Sequence, residues 1–141
     1  MAHTITVRGL GASPGRVKGV LVLSVAEAAR LGPARPVILV LRDCRSDDAR
    51  ALVNAAALVS VRGGVTGHGA IIARALGKPC IVACRHLDPK PADGELVVRP
   101  EGGEPVVIRE GDEVEVDGAK GLITVTLALA LALALAGDKV V

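Results

Sequence analysis

The sequence predicts an α+β domain, a β/β/α sandwich, rather than a long doubly wound sheet. Strand and helix signals alternate through the first half, whereas the second half carries strand signals separated by glycine. Of the 141 residues, 50% are hydrophobic and 23% charged, a globular composition that can bury the core of a single compact domain.

Thr4–Arg8 alternates and predicts a first strand. Gly9-Leu10-Gly11-Ala12-Ser13-Pro14-Gly15 is dense in turn formers and reads as a loop. Val17–Leu23 is apolar enough for a strand, and Val25–Leu31 reads as a short helix ended by Gly32-Pro33. Pro36–Leu41 predicts a buried strand. Ser46 can cap a helix through Leu52, Val53 and Ala56, with Asp47 and Asp48 in its first turn. Leu58–Val61 gives a strand that feeds Arg62-Gly63-Gly64.

The next segment spaces Ala70, Ile71, Ala73 and Arg74 at helical periods, and Gly77 is a good C-terminal stop. Lys78-Pro79 leads into Cys80–Cys84, an apolar run that reads as another buried strand. Glu95–Arg99, Val106–Arg109, Glu113–Asp117 and Leu122–Thr126 are strand-like, separated by Gly102-Gly103, Gly111 and Gly118. His3 reads as a disordered terminal residue.

Residues 1–126 therefore form the expected domain, and residues 127–141 a low-complexity tail. Leu127–Ala136 repeats Leu-Ala five times. As a strand it would put leucine on one face and alanine on the other; as a helix it would be apolar all round. The uncharged stretch from Leu122 to Ala136 is shorter than the roughly 17–25 residues that span a bilayer. A strand or helix packing on this chain, self-association through packing on another, or an extension without a role are the readings left open.

Composition excludes several function classes. Phe, Tyr and Trp are absent, so no aromatic platform exists for stacking single-stranded nucleic acid. A net charge of +2, with both signs interspersed, gives no electrostatic case for nucleic acid or an anionic membrane. No basic start followed by an apolar core opens the chain, and the three cysteines sit in unlike settings, so a cytoplasmic protein with reduced thiols is expected. Cys80 and Cys84, four apart in an extended strand, would lie about 13 Å apart. With His86 and distant Cys44 they form no metal site.

The most informative stretch is Gly63-Gly64-Val65-Thr66-Gly67-His68-Gly69-Ala70, where a glycine-rich turn becomes a helix. A helix N-terminus offers unpaired N–H groups and partial positive charge, both favouring an anion. Gly63 and Gly64 permit a tight turn and close backbone approach. A neutral imidazole ring nitrogen at His68 can attack phosphorus. Thr66 can donate a hydroxyl to phosphate or serve as an ordinary N-cap. Arg62 can face the anion or solvate a strand end. Arg74, six residues past His68, reads as a structural ion pair.

Gly63-Gly64-x-Thr66-x-His68-x-Ala70-x-x-Ala73-Arg74-x-Leu76-Gly77-x-Pro79 resembles the phosphohistidine signature of phosphoenolpyruvate-utilising enzymes. Gly11-Ala12-Ser13-Pro14-Gly15 resembles the family's opening loop, and Arg109-Glu110-Gly111-Asp112 with Asp117-Gly118-x-x-Gly121 its closing strand pair. The resemblance runs from Val7 to Val125 and leans toward pyruvate phosphate dikinase and phosphoenolpyruvate synthase.

It implies a swivelling domain whose His68 is phosphorylated on Nε2, with Thr66, Gly64, Gly67, Gly69 and Arg62 around the phosphate. It further implies a phosphotransferase component incomplete alone. Magnesium and ATP are expected on partner domains, a nucleotide-binding one and a phosphoenolpyruvate-binding one, and no cofactor on this chain. The family usually carries Ser and Ala where this chain has Gly67 and Gly69, and Thr-Ser-Pro where it has Cys44-Arg45-Ser46. Two glycines beside His68 would loosen a helical turn by roughly 0.5–1 kcal/mol each. Gly67, Gly69 and the Leu-Ala tail motivate an alternative reading, a non-catalytic interaction module that kept the fold.

Overall fold

Alternating apolar side chains on both faces of a sheet require a layer on each side, and the chain supplies both. The computed structural model describes residues 3–45 and 48–127. The first half holds strands β1 (His3–Arg8), β2 (Leu10–Ser13) and β3 (Arg16–Val22), helix α1 (Val25–Leu31) and β4 (Val37–Leu41). A 3-10 turn (Asp48–Val53), β5 (Ala57–Ser60), helix α2 (His68–Leu76) and β6 (Cys80–Val82) follow. The second half is β7 (Leu87–Lys90), a 3-10 turn (Pro91–Asp93), β8 (Glu95–Val98), β9 (Val106–Arg109), β10 (Glu113–Asp117) and β11 (Leu122–Leu127).

Eight strands form one sheet in the order β1-β11-β10-β3-β4-β5-β6-β2, and β7-β8-β9 form a second. The run β3 to β6 is parallel; the remaining pairs are antiparallel. Leu21, Ile38, Val40, Val59 and Ile81 pack against Leu96, Val98 and Ile108 of the small sheet. Their neighbours Val22, Val37, Leu39, Leu58 and Cys80 pack against Ala28, Leu52, Ala70 and Ala73 on the helical side. The layers are therefore β/β/α, as expected. The outermost strands β1 and β2 are joined by Gly9 alone, so the sheet must curl until its edges meet.

The family-like segments at the two ends touch each other. Gly9 N–H donates to the Gly121 carbonyl at 2.8 Å, and Gly118 N–H to that of Gly15 at 2.7 Å. A β-carbon on Gly118 would lie 1.9 Å from the Ser13 carbonyl oxygen, so only glycine permits this approach.

Several sequence expectations change. The presumed loop Gly9–Gly15 contains β2, which pairs antiparallel with β6. His3 opens β1, in register with Leu127, rather than trailing as a disordered end. Leu127, assigned to the tail, closes β11 and is buried; residues 128–141, with the rest of the Leu-Ala repeat, lie outside the described residues. Ser46, the expected cap, and Asp47, expected in the first turn, also lie outside them, and the helix expected there is a 3-10 turn from Asp48. β6 ends at Val82 because Ala83 takes a left-handed φ of 53°. That break sends Cys80 to the helical side and Cys84 to the core between the sheets, so they share no strand face. No helix among the described residues is long and apolar enough to cross a membrane.

Candidate functional site

The site lies where the parallel strands end, the edge at which open α/β sheets bind ligands. β5 is buried along its length because helices and the small sheet cover its two faces. Its last residue, Ser60, is buried and donates its hydroxyl to the Arg62 carbonyl at 2.6 Å. This bond turns the chain into the glycine pair. Sequence reading passed over Ser60; a lone hydroxyl ending an apolar run before two glycines was its signal. Gly63 has φ of 99°, a conformation side chains disfavour, and Gly67 N–H closes the next turn on the Gly64 carbonyl at 3.0 Å.

Gly67 is the N-cap of α2, with φ −72° and ψ 165°, and no side chain caps the helix. The first intrahelical bond runs from Ile71 N–H to the Gly67 carbonyl at 3.0 Å. The N–H groups of His68, Gly69 and Ala70 therefore have no acceptor within the helix. His68 is the first helical residue and is exposed beside them. The positive end of the helix dipole is at the same place.

This start lies one residue later than a cap at Thr66 requires, so Thr66 sits in the preceding turn, exposed, and does not cap the helix. Gly67 likewise lies outside the helix proper. At an N-cap, glycine costs only a few tenths of a kcal/mol against serine, not the interior penalty.

Gly69 is buried, and its bare α-carbon is what lets α2 approach β5. A β-carbon there would stand 2.7 Å from Leu58 Cδ2 and 2.9 Å from Cys44 Sγ. Two of the departures from the family pattern are thus in contact: Cys44 fills the space beside Gly69. Burial, followed by the nearby Asp48 and Asp43 carboxylates, pushes the Cys44 thiol up to about 11. Asp43, Cys44, Ser60, Gly64, Gly67 and His68 border a hollow of about 40 Å3. An anion drawn to the free N–H groups of the first turn would sit at the open rim of this hollow, beside the imidazole.

Arg62 is exposed and borders this hollow, and among the described residues its guanidinium forms no ion pair. Among the described residues Arg74 forms no ion pair, contrary to expectation. Its Nη1 donates to the Ala12 carbonyl at 2.9 Å and ties α2 to β2. Lys78 has a similar structural office: its ammonium donates to the carbonyls of Leu52, Val53 and Ala55, ending the 3-10 turn against α2.

Residues 33–121, a span containing β4, β5, α2 and His68, match the family described as "PEP-utilising enzyme, mobile domain". Pyruvate, phosphate dikinase of Rickettsia typhi is 35% identical over 120 residues, covering 85% of this chain and 13% of that protein. Pyruvate, phosphate dikinase 2 of Zea mays is 32% identical over 135 residues, 95% of this chain and 15% of that one. The chain thus spans about one seventh of these relatives or less. The solution structure of Enzyme I covers 74% of this chain and 36% of its own, at 23% identity and a TM-score of 0.45. The chain belongs to the family of mobile domains of phosphoenolpyruvate-utilising enzymes.

Proposed function

We propose that this domain is a phosphoryl carrier, transiently phosphorylated on His68 Nε2. The supporting observation is the pairing of an exposed imidazole with an uncapped helix N-terminus in one turn. The Nε2 lone pair attacks the donor phosphorus, and the donor P–O bond breaks with its electron pair leaving on oxygen. The resulting N–P bond is later broken by an acceptor oxygen, which returns the lone pair to the imidazole. The N–H groups of the first turn, including that of Gly69, and the turn at Gly64 and Gly67 surround the transferred charge. Thr66 offers a hydroxyl and Arg62 a guanidinium from the rim.

Donor and acceptor belong to partner domains: a nucleotide site using ATP and magnesium, and a site for pyruvate and phosphoenolpyruvate, as in a dikinase or synthase. The alternative of a module without chemistry draws on Gly67, Gly69 and the Leu-Ala tail, of which residues 128–141 lie outside the described residues. Gly67 stands at a cap position that tolerates glycine, and Gly69 is demanded by Cys44 and Leu58, so both have local packing reasons. Labelling decides between the two. The intact chain is incubated with dikinase nucleotide and phosphoenolpyruvate domains, plus ATP and magnesium or phosphoenolpyruvate. An acid-labile, base-stable phosphate that disappears in His68→Ala is expected; no label from either donor overturns the reading.

A further inference from the structure

The ends of several strands carry an arginine. Arg42 directly follows β4, Arg62 lies two residues past β5, Arg85 three past β6, and Arg99 directly follows β8. Widely separated in sequence, they converge on one hollow of about 560 Å3, within the usual range of small-molecule sites. Its lining also includes Gly63 and Ala83 and a single acidic side chain, Asp88. Four positive charges thus face one negative charge, in a chain whose total net charge is only +2.

Asp88 organises part of this ring. It accepts from Arg42 Nη2 at 2.7 Å and lies 3.6 Å from Lys90 Nζ and 3.8 Å from Arg99 Nη2. Arg42 Nη2 also donates to the Pro89 carbonyl at 2.9 Å. These contacts hold Arg42 and Arg99 at the wall while leaving donors unused. Arg62 and Arg85 form no ion pair among the described residues. The left-handed backbone at Ala83, the only non-glycine with positive φ among the described residues, turns the chain out of β6 toward Arg85. Such a conformation persists only where its surroundings hold it.

We infer that this hollow binds a condensed phosphate: two or more linked phosphoryl groups, free or as the chain of a nucleotide. Guanidinium forks match phosphate oxygens bidentately, and four of them around a concavity suit several oxygens at once. A single phosphate could engage only part of such a ring. Gly63 and Arg62 border both this hollow and the one at His68, so the bound chain would lie beside the imidazole. The site itself does not require His68 to be phosphorylated.

Calorimetric titration of the full chain, without magnesium, tests it with orthophosphate, diphosphate, tripolyphosphate and ATP. Diphosphate and tripolyphosphate should bind at least about tenfold more tightly than orthophosphate, and less tightly at about 150 mM than at about 50 mM salt. ATP tighter than tripolyphosphate marks a nucleotide as the source of the chain; equal affinity marks the phosphate chain alone. Arg85→Gln and Arg99→Gln should each weaken binding about tenfold, while Arg16→Gln on β3 leaves it unchanged. Circular dichroism checks that each variant is folded. His68→Ala should retain binding, so failure of this site and failure of the carrier reading are distinguishable. Condensed phosphates binding no better than orthophosphate, or unaffected by both substitutions, overturn the inference.

Discussion

Cys44 Sγ stands 2.9 Å from the point where a β-carbon on Gly69 would be. Each residue therefore sets the size of the other. Gly69→Ala alone should destabilise the fold by about 1–3 kcal/mol through overpacking. Adding Cys44→Ala should recover much of that loss, leaving the cost of the Leu58 contact. Urea midpoints of the two single variants and the double variant give the coupling; strict additivity would refute the pairing.

Gly118 and Gly64 differ in what a side chain would meet. Gly118→Ala drives a methyl into the Ser13 carbonyl and should cost about 3 kcal/mol or more. At Gly64 a β-carbon meets nothing within 4 Å, so Gly64→Ala should change stability by less than about 0.5 kcal/mol. If Gly64 serves close approach to phosphate, labelling of His68 should nevertheless fall. Unchanged labelling in a stable Gly64→Ala removes that residue from the site.

The thiols report on burial. Desolvation pushes Cys80 up to about 12, and Cys44 and Cys84 up to about 11, each from an ordinary 9.0. Folded-state values above the unfolded ones mean the folded chain keeps thiol protons that the unfolded chain releases. Their contribution is complete below pH about 9 and is lost as pH rises toward the folded values. Stability should accordingly fall on the alkaline side, and less steeply when Cys80 is replaced by Ala. Iodoacetamide at pH 8 should label the native chain far more slowly than the urea-unfolded one.

Lys78 matters through its ammonium, which lies beyond the far end of α2 from His68 and holds the 3-10 turn. Lys78→Met leaves three backbone carbonyls without their donor and should cost about 1–3 kcal/mol by thermal or urea unfolding. His68 labelling, scored per folded molecule, should stay close to that of the parent. A collapse of labelling without loss of stability would reassign Lys78 to the site.

Much of the layer plan was legible because apolar periodicity survives in a sequence without aromatics. Val25–Leu31 and the helix ending at Gly77 were readable from their stops, and β8 to β11 from glycine punctuation. What escaped has physical causes. β2 is hidden among turn formers, because its pairing with β6 is a long-range fact. β7 carries Pro89, which discourages a strand reading, yet β7 lies at the edge of its sheet, where proline is tolerated. The Cys80–Cys84 run looked continuous because nothing local marks Ala83 as left-handed. His68 and its turn were legible as a motif. The arginine ring was not, since its members meet only through strand order, although each follows an apolar run.

His3 and Leu127 are Cα partners on neighbouring strands, so the described chain enters and leaves the domain at one spot on its surface. Polypeptide continuing from both ends would meet the body as a paired tether. The domain could then turn as a unit about that spot without breaking a strand contact. His68, rigidly mounted on α2, would travel along an arc whose radius is set by the fold and not by the length of a flexible loop.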